Sequence, residues 1–132
     1  MKRDTTRTRK ISPWLGLLGL LGFISPILYI ELSNPNALLF LGFFGFFGFY
    51  FEGKMSNTLR DERFQYNEQR AVATASKITH VSMAFILIIT VNWVSQRGIE
   101  IAYTFLVATL ALLWALQISL PLGLLYYYEN KE

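Results

Sequence analysis

The residues best equipped for chemistry sit together in "DERF", Asp61 to Phe64: two carboxylates, a guanidinium and an aromatic ring in four consecutive positions. Paired carboxylates do general acid–base work when both reach one reacting atom. Asp61 and Glu62 are not such a pair, because adjacent residues of a helix point about 100° apart. The chain has one histidine, His80, and no cysteine, so it offers no thiolate nucleophile, disulfide or cysteine metal site. No nucleophile–base pair, metal cluster or phosphate-binding loop can be assembled. Catalytic residues, metal ligands and cofactors are therefore all expected to be none, and the chain is read as non-enzymatic. What this cluster suits is recognition. Its solvated charges contribute little to folding, and a buried Phe64 would anchor either the protein's own packing or a partner. Asp61, Glu62, Arg63 and Phe64 are thus the candidate docking residues.

The element that must carry them is a connection without Gly or Pro, "MSNTLRDERFQYNEQRAVATASK". Thr58 followed by Asp61 matches a capping box. The spacing predicts a helix from near Thr58, running unbroken into an apolar segment. Phe64, Ala71, Ala75 and Ile78 would share one face, with Asp61 and Glu68 on a nearby polar face. His80 then falls at a membrane interface.

The flanking segments are apolar on a scale that settles the class. Of the 132 residues, 53% are hydrophobic, and the mean hydropathy is +0.36. A soluble domain of this size buries only about two-thirds of its unfolded surface, too little to hide so much. Four blocks meet the rule of about 20 apolar residues per spanning helix: Pro13 to Leu32, Pro35 to Phe51, Ile78 to Ser95 and Ile101 to Leu120. The expected fold is an all-α integral membrane four-helix bundle of two hairpins, with a helical extension before the third helix. Its parts are a basic tail (1–12), hairpin one (13–51), a loop (52–77), hairpin two (78–128) and a short tail (129–132). The N-terminus resembles a signal peptide, but its apolar run is too long and lacks a cleavage site, so it reads as an uncleaved first helix.

Eleven of the twelve basic residues fall on one side of this arrangement, Arg97 being the exception. The positive-inside rule puts that side, with both termini, in the cytoplasm of a prokaryotic plasma membrane. The net charge of +3 is thus a topological signal, and no direct nucleic-acid contact is expected. The basic tail is placed to touch anionic headgroups. Tyr126, Tyr127 and Tyr128 read as an aromatic belt. Ser12–Pro13 and Asn34–Pro35 read as helix starts, and Pro26 as a kink whose lost hydrogen bond pointed to Gly22.

Glycine recurs every third residue in "LGLLGLLGF" and "LGFFGFFGF". In hydrocarbon, what glycine offers is close backbone approach. Gly16, Gly19 and Gly22 fall at nearly the depths of Gly48, Gly45 and Gly42. They are expected as two packing ladders in one membrane layer, within the hairpin or between protomers. At 100° per residue each ladder drifts by about 60° per step into an oblique groove. The functional alternative is a small polar path lined by glycine carbonyls. Hairpin two carries Thr90, Asn92, Thr104, Thr109 and Gln117 instead. Asn92 is placed near the outer end, and the deeper Thr109 and Gln117 are expected to bond between helices. No ionisable residue lies deep in a span, which argues against proton-coupled transport.

The glycine hairpin, "DERF" and "AVATAS" (71–76) together resemble an uncharacterised family of small bacterial and archaeal membrane proteins, a domain of unknown function. The resemblance covers roughly residues 13–95. It implies a membrane partner for a small helix-turn-helix transcription regulator, and it brings no assigned catalytic or binding residues. Two functions remain. The first is a regulatory or interaction protein in the lipid bilayer, docking a soluble cytoplasmic partner. The second is a small homo-oligomeric channel or exporter.

Overall fold

Proline opens each of the first two spans, and glycine every third residue sets how they wind. The computed structural model describes residues 6–131, so Lys2 and Arg3 of the basic tail lie outside the described residues. Four helices are long and apolar enough to cross a membrane: helix 1 (Pro13–Leu32), helix 2 (Pro35–Lys54), helix 3 (Glu62–Arg97) and helix 4 (Ile99–Lys131). The fold is an all-α membrane bundle of two hairpins. Helix 1 packs only on helix 2 and helix 3 only on helix 4, while helices 2 and 4 join the hairpins. The contact order is therefore 1-2-4-3.

The winding of the first hairpin differs from the α-helical expectation. Pro13–Phe23 and Pro35–Phe46 are 3-10 helices, and only Ile24–Leu32 and Phe47–Lys54 are α-helical. Such long 3-10 runs are uncommon, because side chains at i and i+3 eclipse. In this sequence the eclipsing is harmless in one column and useful in the others. One column per helix is glycine, with no side chain to eclipse. The Phe40–Phe43, Phe43–Phe46 and Phe46–Phe49 ring centroids lie 5.5, 5.4 and 5.4 Å apart, and Phe44–Phe47 6.0 Å. One 3-10 turn rises about 6 Å, so the rings ride one above another. With three residues per turn the glycine ladders run straight, and the oblique groove is corrected. The tighter winding also stretches each 20-residue span from about 30 Å to about 35 Å.

The two ladders do not meet each other. Gly16, Gly19 and Gly22 are buried against helix 2's aromatic column. A Cβ at Gly19 would lie 2.7 Å from the Phe47 ring, one at Gly22 2.7 Å from the Phe44 ring, and one at Gly16 2.6 Å from Tyr50 Cβ. Ser25 continues the stripe, its hydroxyl donating to the Ala37 carbonyl at 3.0 Å. Gly42, Gly45 and Gly48 face helix 4. Cβ atoms there would come within 3.1 Å of the Trp114 ring, 3.1 Å of Ala115 Cα and 2.9 Å of Ser119 Cα. Glycines that share a depth therefore have different partners: Gly16, Gly19 and Gly22 face helix 2 within the hairpin, whereas Gly42, Gly45 and Gly48 face helix 4. Depth alone did not reveal it: helix 2 has two neighbours, and a three-sided helix gives each its own column.

Local signals end the elements. The Asn34 side chain accepts from the Asn36 N–H and caps helix 2, whereas Ser12 makes no side-chain cap bond. Pro26 lies in the first turn of Ile24–Leu32, where the winding changes. Helix 3 loosens into a π-turn over Thr90–Val94 and tightens over Ser95–Arg97, and Gly98 at φ +108° reverses the chain.

Leucine at Gly19 or Gly45 should destabilise the fold by about 1–3 kcal/mol through overpacking, read as unfolding free energy in detergent. Gly123→Ala is the control, since its nearest neighbour, the Phe51 ring, is 3.6 Å from the added Cβ. It should change stability by less than about 0.5 kcal/mol.

Candidate functional site

The end of the bundle where helix 2 stops and helix 3 starts gathers most of the charge, and it is tied together by short polar bonds. Residues 6–11 run alongside 55–60. Thr8 N donates to the Thr58 carbonyl at 2.9 Å and Arg60 N to the Thr6 carbonyl at 3.0 Å. The Thr8 hydroxyl donates to the Met55 carbonyl at 2.7 Å and accepts from Thr58 N at 2.9 Å. Ile11 N donates to the Ser56 hydroxyl at 3.0 Å. The described part of the tail is therefore a strap across the connection.

The strap moves the start of helix 3. Thr58 is occupied by Thr8, so the helix begins at Glu62 and not near Thr58. Asp61 is the N-cap, its carboxylate accepting from Phe64 N at 2.8 Å. This bond satisfies one of the first-turn donors that a helix leaves open.

The four "DERF" residues separate into two roles. Glu62 and Arg63 are exposed, and so is Asp61 despite its cap bond. Phe64 is only 3% exposed, packed with Met55, Ala71 and Leu125, so its ring serves the bundle and is not open to a partner. Ala75 is buried on the same stripe, but Ile78, expected there, is 43% exposed. The stripe includes a polar residue instead. Asn67 is 1% exposed and donates to a Glu129 carboxylate oxygen at 2.7 Å. Beside it the Arg70 guanidinium lies 4.4 Å from the Tyr128 ring centroid, and Arg60 pairs with Glu68. The Asn67 and Arg70 contacts clasp helix 3 to helix 4, and the Arg60–Glu68 pair ties the connection to helix 3. The aromatic ring left in the open is Tyr66, 64% exposed, one helical turn beyond Glu62. A hollow of about 390 Å³ opens between strap and clasp, lined by Arg7, Arg9, Glu52, Arg60 and Glu68 over Leu122 and Leu125.

In hairpin two, Thr90, Asn92, Thr104 and Thr109 turn back on their own helices. Thr90 donates to the Ile86 carbonyl, Asn92 to Ile88, Thr104 to Glu100 and Thr109 to Phe105. His80 bonds the Ser76 carbonyl in the same way. The interhelical bond expected of Thr109 is thus corrected. A threonine hydroxyl reaches the i−4 carbonyl without leaving its helix. Gln117 is exposed on the surface of helix 4 and makes no interhelical bond among the described residues. An apolar groove of about 520 Å³ lies between helices 2 and 4, lined by Phe44, Phe47, Phe51, Leu112, Leu116 and Leu120 among others.

Four apolar helices with a charged, clasped end define a small polytopic membrane protein. The family described as "Predicted membrane protein (DUF2178)" matches residues 8–131, and the chain belongs to it. No curated protein and no solved structure matches the chain.

Sequence reasoning missed the strap, Asn67 and Tyr66. The strap left no periodic signal. Asn67 carried one, because it falls at i+3 from Phe64 and i−4 from Ala71, on the buried face. Asp61→Ala should cost about 1 kcal/mol of stability through the lost cap. Glu62→Ala and Arg63→Ala should stay within about 0.5 kcal/mol, all measured by equilibrium unfolding in one detergent.

Proposed function

We propose that this is a non-enzymatic interaction protein of the prokaryotic plasma membrane, with its basic end and both termini in the cytoplasm. A soluble cytoplasmic protein would dock on the first turns of helix 3. The observation that carries the reading is the division of labour there. Phe64 and Asn67 are buried and hold the helix, while Glu62, Arg63 and Tyr66 stand exposed beside them. A helix face presenting an aromatic and both charge signs suits recognition, since tyrosine and arginine, with tryptophan, are enriched among the few residues that dominate binding energy at protein interfaces. A small helix-turn-helix regulator is the partner that the family resemblance suggests. The alternative, a small homo-oligomeric channel or exporter, finds less support, because the threonines and Asn92 of the spans spend their donors on carbonyls of their own helices.

Reporter fusions test the orientation. Fusions after Asn34 and Gly98 should report the outside, and one after Asn57 the cytoplasm. A cytoplasmic signal at Asn34 would overturn it. Function is tested by replacing Glu62, Arg63 and Tyr66 together with Ala. The variant should insert at wild-type levels and lose at least about tenfold in capture of a cytoplasmic partner isolated with the wild type. Undiminished capture, or ion flux from purified wild-type protein in liposomes, would refute the docking reading.

A further inference from the structure

Helix 4 has a polar anomaly in its apolar middle. Gln117 is exposed on the protomer, and its carboxamide has no hydrogen-bond partner among the described residues. Pro121 lies four residues further along the same helix. Proline has no N–H, so it leaves the carbonyl four residues back without its helix donor, and that carbonyl belongs to Gln117. An unpartnered carboxamide and a carbonyl that has lost its i+4 helix donor therefore share one depth. Tyr126 is about 14 Å along the helix in one direction and Tyr103 about 21 Å in the other. Neither Gln117 group reaches headgroup water across such distances.

The surroundings of Gln117 form a seam. Leu106, Leu110, Leu113, Gln117, Leu120 and Leu124 follow one another at intervals alternating between four and three residues. This is the a/d heptad spacing of a helix pair, with one polar residue where coiled coils use one to set register. Leu110 and Gln117 are exposed and the other four are only partly covered, Leu120 and Leu124 by the edge of the groove beside helix 2.

Hydrocarbon offers an amide neither donor nor acceptor, so whatever covers the seam must supply both at this depth. A second copy of the chain does so. The lopsided basic charge gives every copy the same orientation in the membrane. Copies related by a two-fold axis along the membrane normal therefore hold Gln117 at the same depth. A carboxamide is its own complement, and it also has a donor to spare for the freed carbonyl.

We propose that the chain forms a parallel, two-fold dimer through the helix 4 seam, with Gln117 of each copy hydrogen-bonded to Gln117 of the other. The interface is isologous and independent of any docking at helix 3.

The chain has no cysteine, so single-cysteine variants report one position at a time. Oxidation of Leu113→Cys or Leu120→Cys in native membranes should give a disulfide homodimer. Phe85→Cys, exposed on helix 3, should not. In dilute detergent Gln117→Leu should weaken self-association by about three- to tenfold, with helix content unchanged by circular dichroism. The proposal is overturned by no homodimer at both Leu113 and Leu120, by equal crosslinking at Phe85, or by a crosslink to a different protein. It is equally overturned if Gln117→Leu associates as tightly as the wild type.

Discussion

A shared repeat of about 6 Å governs how this molecule packs. Three residues of 3-10 helix rise about 6 Å, and so do four residues of α-helix. Gly42 and Gly45, three apart on the 3-10 part of helix 2, therefore keep step with small residues four apart on helix 4, Ala111 and Ala115, and the pattern continues to Gly48 and Ser119. Wound as an α-helix, the same glycines would rise only about 4.5 Å per step and rotate off the contact line. On the other side of helix 2, Phe44 and Phe47 meet Gly22 and Gly19 in step, because helix 1 is wound the same way there, and Tyr50, in the first α-helical turn, meets Gly16. The unusual winding, the close backbone approach and the stacked phenylalanine columns are one phenomenon.

The basic end depends on that packing and completes it. Helices 2 and 4 run side by side in parallel, so neither hairpin connection joins them. The two hairpins are linked covalently only through 55–61, and there the chain uses polar contacts. The strap from Thr6 to Ile11 pins the connection, Asp61 starts helix 3, and Asn67–Glu129 and Arg70–Tyr128 close it on helix 4. Much of this end is half-exposed, where polar bonds add modestly to stability and mainly fix geometry. Its consequence is a stiff first turn of helix 3 with one face buried and the other free.

The spans and the segregation of charge were legible because both follow from the bilayer alone: hydrocarbon thickness sets block length, and hydration of Lys and Arg sets their side. The glycines were legible as close contacts, since only a missing side chain explains their spacing in an apolar helix. Their partners were not. A spacing of three fits an oblique row on an α-helix as well as a straight column on a 3-10 helix, and depth does not specify face. Phe64 shows the same limit. Its period with Ala71 and Ala75 announced a buried face, but the identical residue type anchors interfaces, and only Met55 and Leu125 closing over it decided between them. The capping box pointed to the right turn of chain and the wrong residue, because the Thr58 backbone was already taken by Thr8.

The winding of Pro13–Phe23 and Pro35–Phe46 is measured directly by solid-state NMR of the 15N-labelled protein in aligned bilayers. Amide dipolar couplings oscillate along a helix with its residues per turn. A period of about 3.0 residues across both segments, changing to about 3.6 within Ile24–Leu32 and Phe47–Lys54, is the predicted result. An unbroken period of about 3.6 along helices 1 and 2 would contradict the account.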